Sequence, residues 1–104
     1  MATGILGQAA PAATTNTVIY TVPASTVTVA TISIVNTTLT SIITRLAIAA
    51  SGTPSTSEYI EYDTIIAANG VLERSGIVIN ATKAVVVFGS AAGLSVSVYG
   101  YEEV

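Results

Sequence analysis

Residues 94–101 read LSVSVYGY, and the character of their side chains changes with a period of two. Successive side chains of a β-strand point to opposite faces of the sheet, so Leu94, Val96 and Val98 share one face. The serines and tyrosines of the same stretch occupy the other face. This alternation predicts a strand of an antiparallel sheet that packs one face against a core.

Similar short runs lie upstream of this strand, at intervals of about ten residues. They are rich in Val, Ile, Thr and Tyr, and turn residues such as Asn69-Gly70 separate them. The run 83–89 (KAVVVFG) is continuously apolar, as expected of a strand that is covered on both faces. The other predicted strands span residues 17–22, 26–35, 42–50, 58–66 and 71–79.

The spacing of these runs predicts an all-β protein, a single antiparallel β-sandwich of about seven or eight short strands. A jelly-roll and an immunoglobulin-like sandwich both fit the pattern. The stretch 26–35 changes phase at Ala30-Thr31, which predicts a β-bulge there. Ser75-Gly76 interrupts the stretch 71–79 and predicts a second kink.

The first sixteen residues, MATGILGQAAPAATTN, show no period. They predict an extended N-terminal arm over residues 1–16, followed by the β-sandwich domain over residues 17–104. Ile5 and Leu6 are the expected anchors of the arm on a neighbouring molecule, with strand addition supplying backbone hydrogen bonds. A frayed terminus is the alternative interpretation.

The composition favours a subunit of an assembly. The chain has 104 residues, enough for one domain. Only 9% of the residues are charged, against about 25% in ordinary soluble domains. The resulting surface is rich in methyl and hydroxyl groups and poorly protected against association. We therefore expect neighbouring subunits to cover much of it.

The charges argue against nucleic acid as a partner, since a net charge of −3 leaves only Arg45, Arg74 and Lys83 as cations. No run of roughly 20 apolar residues predicts a membrane-spanning helix. The chain contains no cysteine and no histidine, so the commonest catalytic base, thiol nucleophile and metal ligands are missing. We expect no enzymatic activity, no catalytic residue, no cofactor and no metal.

Two carboxylates in the stretch 58–63 are the strongest candidates for chemistry. Simple alternation places Glu61 and Asp63 on one strand face with Tyr59, where two carboxylates suit acid–base chemistry or part of a calcium site. A solvated strand face is the commoner meaning of this pattern. Ion pairs with nearby acids are the expected role of Arg45 and Arg74.

Four tyrosines are candidate binding residues because their rings are apolar and their hydroxyl groups are polar. Tyrosine is enriched at protein interfaces, and its ring also stacks on sugars. We expect a protein interface. The candidate interface residues are Ile5, Leu6, Tyr59, Tyr62, Tyr99 and Tyr101.

Several segments resemble small virion structural proteins of tailed bacteriophages, of the type found in phages of cyanobacteria and other aquatic bacteria. The resemblance covers nearly the whole chain. It consists of strand and turn patterns without a catalytic signature, so it implies no site residues. The segments that carry it are residues 1–24 (MATGILGQAAPAATTNTVIYTVPA), 34–36 (IVN), 45–49 (RLAIA), 59–63 (YIEYD), 69–74 (NGVLER) and 98–103 (VYGYEE).

The resemblance implies a non-enzymatic structural component, with a capsid decoration (cement) protein as the leading expectation. Such a protein stabilises the shell through contacts with the major capsid protein or other virion proteins. It also implies a homo-oligomer, with a trimer as the first expectation, located in the virion after synthesis in the cytoplasm of a bacterial host. The alternatives are a tail, neck or baseplate subunit, or a receptor- or glycan-binding fibre module.

Overall fold

The computed structural model describes residues 2–104, and Met1, the first residue of the predicted arm, lies outside the described residues. The described chain forms eight β-strands and a 3-10 turn at Thr56–Glu58. The strands are β1 (Thr3–Ala9), β2 (Thr17–Thr21), β3 (Val27–Asn36), β4 (Ile42–Ala49), β5 (Tyr59–Ile66), β6 (Val71–Ile79), β7 (Ala84–Gly89) and β8 (Leu94–Glu103).

The strands form two four-stranded sheets that pack face to face. Sheet A has the order β1-β8-β3-β6, and sheet B has the order β2-β7-β4-β5. All paired strands are antiparallel. Only β4 and β5 are consecutive strands within one sheet, and every other connection crosses to the opposite sheet. This order is that of an eight-stranded jelly roll, so the predicted all-β sandwich is confirmed and its topology is the first of the two expected types.

The core lies between the sheets, and its cluster of buried hydrophobic residues is aliphatic. The alternation predicted for residues 94–101 is confirmed, since Leu94, Val96 and Val98 are buried and the serines and tyrosines face outward. Besides these three, the fully buried core residues include Ile32, Ile34, Ile42, Leu46, Ile79, Val85 and Val87.

The segment predicted as an arm is a strand of the sandwich itself. Thr3–Ala9 pairs with β8 along its whole length, so the predicted boundary between an arm at 1–16 and a domain at 17–104 is wrong. The strand was concealed because Leu6 occupies a bulge and the glycines provide no side-chain period. Gly7 is required where it stands, since a Cβ atom there would lie 2.4 Å from the Ile19 carbonyl oxygen of β2.

A β-bulge lies at the predicted position, since the pairing of β3 with β6 shifts between Ala30 and Ile32, but β3 itself alternates without interruption. Thr28 and Ala30 fill the inward positions in its first half, and the valines point outward. The hydrophobic pattern therefore suggested that the inward-facing and outward-facing positions exchange within β3, which they do not.

The extra residue of this bulge lies on the neighbouring strand, where the predicted kink at Ser75-Gly76 is confirmed. The pairing of β3 with β6 shifts between Ala30 and Ile32, because β6 contains one residue more than β3 at this point. Gly76 has a φ of 69°, in the left-handed region that glycine adopts without strain.

Candidate interaction surfaces

The outer face of sheet B is partly covered by the chain itself. Residues 50–58, which we call the covering segment, leave β4 and reach β2, where a Cβ atom on Gly52 would lie 3.6 Å from the Val18 side chain. Beneath the segment lies a small cluster, packed against Tyr59, in which every member is buried. We call it the covered cluster: Ala47, Ala49, Ala84 and Val86.

The Glu58 carboxylate fixes both ends of the covering segment. It accepts hydrogen bonds from the backbone N–H groups of Ala50 at 3.0 Å and Ser55 at 2.9 Å. The Lys83 Nζ lies 3.7 Å away. The bonds from Ser55 and Ala50 lower the pKa of Glu58 below its usual value, because they stabilise the charged form.

Beside the covered cluster, Arg45 lies between two aromatic rings. Its guanidinium carbon is 4.3 Å from the ring centroid of Tyr62 and 4.8 Å from that of Phe88. Its Nε donates a 2.6 Å hydrogen bond to the Asp63 carboxylate. The site exists because β5 has an extra residue opposite Arg45, with Asp63 at a φ of 52°.

The same irregularity turns Glu61 away from Asp63, so the expectation that these carboxylates share a face with Tyr59 is wrong. Glu61 faces β6, where Arg74 donates a hydrogen bond to it and another, at 3.2 Å, to the Ile60 carbonyl oxygen. The Thr64 hydroxyl, 2.7 Å from Glu61, is the main cause of a lowered glutamate pKa, and Arg74 adds to the effect.

The ion pairs expected for the arginines are confirmed, as Arg45 with Asp63 and Arg74 with Glu61. The second pair joins the open edges of the two sheets, since Glu61 belongs to β5 and Arg74 to β6. The carboxylates of Asp63 and Glu61 are therefore both ion-paired with arginine. Among residues 2–104 no group of three metal-ligating side chains occurs, and no enclosed pocket is found.

The four candidate tyrosines lie on opposite sides of the molecule. Tyr59 and Tyr62 contact each other edge-to-face on sheet B, with ring centroids 4.9 Å apart. Tyr99 and Tyr101 lie on the outer face of sheet A. No single surface can therefore use all four rings, which removes the basis for one four-tyrosine sugar platform.

Ile5 and Leu6 are separated in the same way. Ile5 is 57% exposed and lies directly opposite Tyr99 on the outer face of sheet A. Leu6 points inward and packs against the core of its own domain. The expectation that Leu6 anchors an arm on a neighbouring molecule is therefore corrected.

The outer face of sheet A continues beyond Ile5 with residues that the sequence analysis missed. Val29 lies opposite Tyr101 on one side and Val78 on the other, which gives an apolar row across three strands. The alternating valines of β3 were the available signal, since they are out of phase with its buried isoleucines. We call this surface the bare face, defined by Ile5, Val29, Val78, Tyr99 and Tyr101.

Polar groups lie along the bare face and at one end of the sandwich. The Tyr99 hydroxyl donates a 3.0 Å hydrogen bond across β3 to Glu73, which holds the ring in place. Glu102 accepts hydrogen bonds from the Tyr20 hydroxyl and, at 3.1 Å, from the Ala2 N–H. The bond from Tyr20 is the main reason why the pKa of Glu102 is lowered.

Comparison of the chain with family models, with curated proteins and with solved structures finds no match. Within residues 2–104, no helix is long and apolar enough to cross a membrane.

Proposed function

We propose that this protein is a non-enzymatic structural component of a tailed-phage virion, and specifically a capsid decoration (cement) protein. The observation that carries the proposal is the bare face. There Ile5, Val78 and Tyr101 are 57%, 63% and 42% exposed on one continuous sheet surface. An apolar surface of this kind is typical of a protein that binds another protein.

The rest of the molecule is consistent with this role. A jelly roll is a common architecture of viral capsid and lectin domains, although a fold by itself does not define a function. The resemblance of the sequence to phage virion proteins supports a viral structural protein over a lectin. A chain with 9% charged residues is also better suited to an assembled shell than to free solution.

The partners we propose are the major capsid protein or other virion proteins, together with further copies of this chain in a homo-oligomer, first of all a trimer. A second patch suits contacts between copies. Ile43 and Ile65 are cross-strand partners on the outer face of sheet B, and both are exposed. The neighbouring Arg45–Asp63 ion pair leaves this patch without net charge.

The direct test is to determine where the protein lies in purified particles of the virus that encodes it. Quantitative mass spectrometry should find it at a copy number comparable to that of the capsid subunits, and cryo-EM should place it on the outside of the shell. A location in the tail, neck, baseplate or fibre would select an alternative function. Absence from the particles would refute a virion role.

Self-association can be tested on the purified protein. Sedimentation velocity should reveal a species larger than the 10.5 kDa monomer. Replacement of Ile65 by serine should reduce the size of this species if the sheet B patch joins the copies. A monomer at all concentrations would contradict the homo-oligomer and leave contacts with the shell as the means of assembly.

A further inference from the structure

The charged side chains are distributed unevenly between the two sheets. All three cations form ion pairs, and their partners Glu58, Glu61 and Asp63 lie within one short segment at the start of and along β5. Six acids minus these three paired ones leaves three carboxylates, which equals the net charge of −3. Within residues 2–104 the three are Glu73, Glu102 and Glu103, and all of them belong to strands of sheet A.

Two of these carboxylates lie on the outer side of sheet A. Glu73 receives the hydrogen bond of Tyr99, and Glu103 is exposed opposite Val27 at the end of β8. Glu102 instead points inward to Tyr20. The bare face therefore has a carboxylate on either side of it along the strands: Glu103 lies one register step beyond the Tyr101–Val29–Val78 row, and Glu73 lies beyond Tyr99.

We propose that the bare face is the surface that binds the capsid shell, and that the shell presents lysine or arginine side chains around an apolar centre at this site. This inference rests on the proposed function, because it names the chemistry of the partner surface. Complementary charge increases the rate of association and selects the correct partner, while the apolar centre provides most of the affinity.

A second copy of this chain fits the bare face poorly. Two bare faces in contact would bring four carboxylates together, two from each copy, and neither face carries a cation to compensate them. Like charges opposed across an interface repel each other and select against that pairing. A cationic partner gains energy from the same carboxylates.

The small area of sheet A, of which the bare face is only a part, makes these charges important. The longest strands of the sheet, β3 and β8, have ten residues each. Four strands spaced about 4.8 Å apart, with roughly 3.3 Å per residue, give a face of about 15 by 30 Å. Stable interfaces bury about 800 Å² per partner, so this face is small and benefits from ionic contacts at its margins.

The test uses the purified protein and particles assembled without it, with binding measured by cosedimentation at low and at high salt. Val78→Ser should weaken binding about tenfold, the loss expected for one valine that becomes buried in the complex. Leu39→Ser is the control, because Leu39 is 84% exposed in the loop between β3 and β4 and lies outside both the bare face and the sheet B patch. It should bind to the particles like the wild type.

Charge is tested separately with the double variant Glu73→Gln, Glu103→Gln. The amide that replaces the Glu73 carboxylate keeps an oxygen that can accept the hydrogen bond from Tyr99, so the face should retain its shape. Binding of the wild type should weaken as salt is increased, whereas binding of the double variant should be weaker at low salt and nearly independent of salt. Melting curves should be the same for all variants.

The outcomes separate this inference from the proposed function. A wild-type protein that does not bind the particles would overturn both. Normal binding by Val78→Ser and by the double variant would overturn the inference alone. An oligomer that Val78→Ser dissociates would show that a second copy occupies the bare face, which would also overturn the inference.

Discussion

The outer faces of the two sheets differ in what lies over their central strands. On sheet B the central outward positions include Ala47 and Ala49, which are fully buried beneath the covering segment. On sheet A the corresponding positions include Ser33 and Ser97, which are only half-buried. Alanine lets the backbone of a loop approach closely, whereas a hydroxyl group in contact with water does not have to be desolvated. In this molecule the small apolar residues lie beneath the covering segment, and the small polar residues lie on the open face.

The distribution of charge follows the same division. Around sheet B each acid of residues 58–63 is paired with a cation, so this side of the molecule is nearly neutral. The strands of sheet A retain the uncompensated carboxylates. The part of sheet B beneath the covering segment is therefore closed by contacts within the chain. The bare face of sheet A and the Ile43–Ile65 patch of sheet B remain open to other molecules.

The largest expected effect comes from enlarging a residue beneath the covering segment. Ala47→Leu should reduce the free energy of unfolding by about 1–3 kcal/mol, because the added atoms have no space between sheet and segment. Ser33→Leu is the matched control, at an outward position on the central strand of sheet A. It should change the stability by less than about 0.5 kcal/mol.

Urea unfolding followed by circular dichroism measures both variants. Equal effects of the two substitutions would remove the distinction between a covered and an open face. A far-UV spectrum with strong helical character would contradict the fold itself.

A smaller effect on the free energy of unfolding is expected within β1, where the neighbouring residues Ile5 and Leu6 face opposite sides of sheet A. Leu6→Ala should cost about 1–2 kcal/mol, less than a fully buried leucine because Leu6 is only half-buried. Ile5→Ala should leave the stability within about 0.5 kcal/mol of the wild type, because Ile5 lies on the bare face.

Thermal unfolding of these two variants also tests the correction to the predicted arm. A Leu6→Ala variant as stable as the wild type would indicate that β1 contributes little to the folded domain. A large loss in Ile5→Ala would indicate that the bare face is covered in the isolated protein.

The smallest expected effect is that of acidic pH on the stability of the fold. The pKa values of Glu58, Glu61 and Glu102 are lowered in the folded protein, so each stabilises the fold fully above the ordinary glutamate pKa of about 4.3. This contribution is lost as the pH falls through the lowered pKa, because the unfolded chain then binds more protons than the folded one. Stability should therefore be constant near neutral pH and decline below about pH 5.

Hydrogen exchange of backbone amides can show which of the two sheet faces opens first as the stability declines. Once Glu58 is protonated, the covering segment loses its carboxylate acceptor. The amides of Ala50 and Ser55 should then lose protection, after correction for intrinsic exchange, before the amide of Ser33 does. A Glu58→Gln variant should show this weaker protection already at neutral pH. Uniform loss of protection across both sheets would argue against a separate opening of the segment.

Much of the fold was predictable because strands have a local signature. The alternation of residues 94–101 and the β-branched runs upstream predicted the strands from β2 to β8. The exception was β1, whose glycines and bulged Leu6 hide the period of two. The candidate site was predictable in part, since Ile5, Tyr99 and Tyr101 do lie together. Val29 and Val78 were missed because the faces of β3 and β6 were not resolved by hydrophobicity alone.

The sequence by itself determined the all-β class, the positions of most strands, and the shortage of charge that favours assembly, because these depend on composition and on neighbours along the chain. Tertiary structure decided the strand order, the covering of one sheet, and the choice of ionic partners. Those features depend on groups far apart in sequence, such as Ala2, which bonds to Glu102 at the other end of the chain. Even Glu61 and Asp63, two residues apart, were separated by a bulge whose position is set by the pairing of β5 with β4.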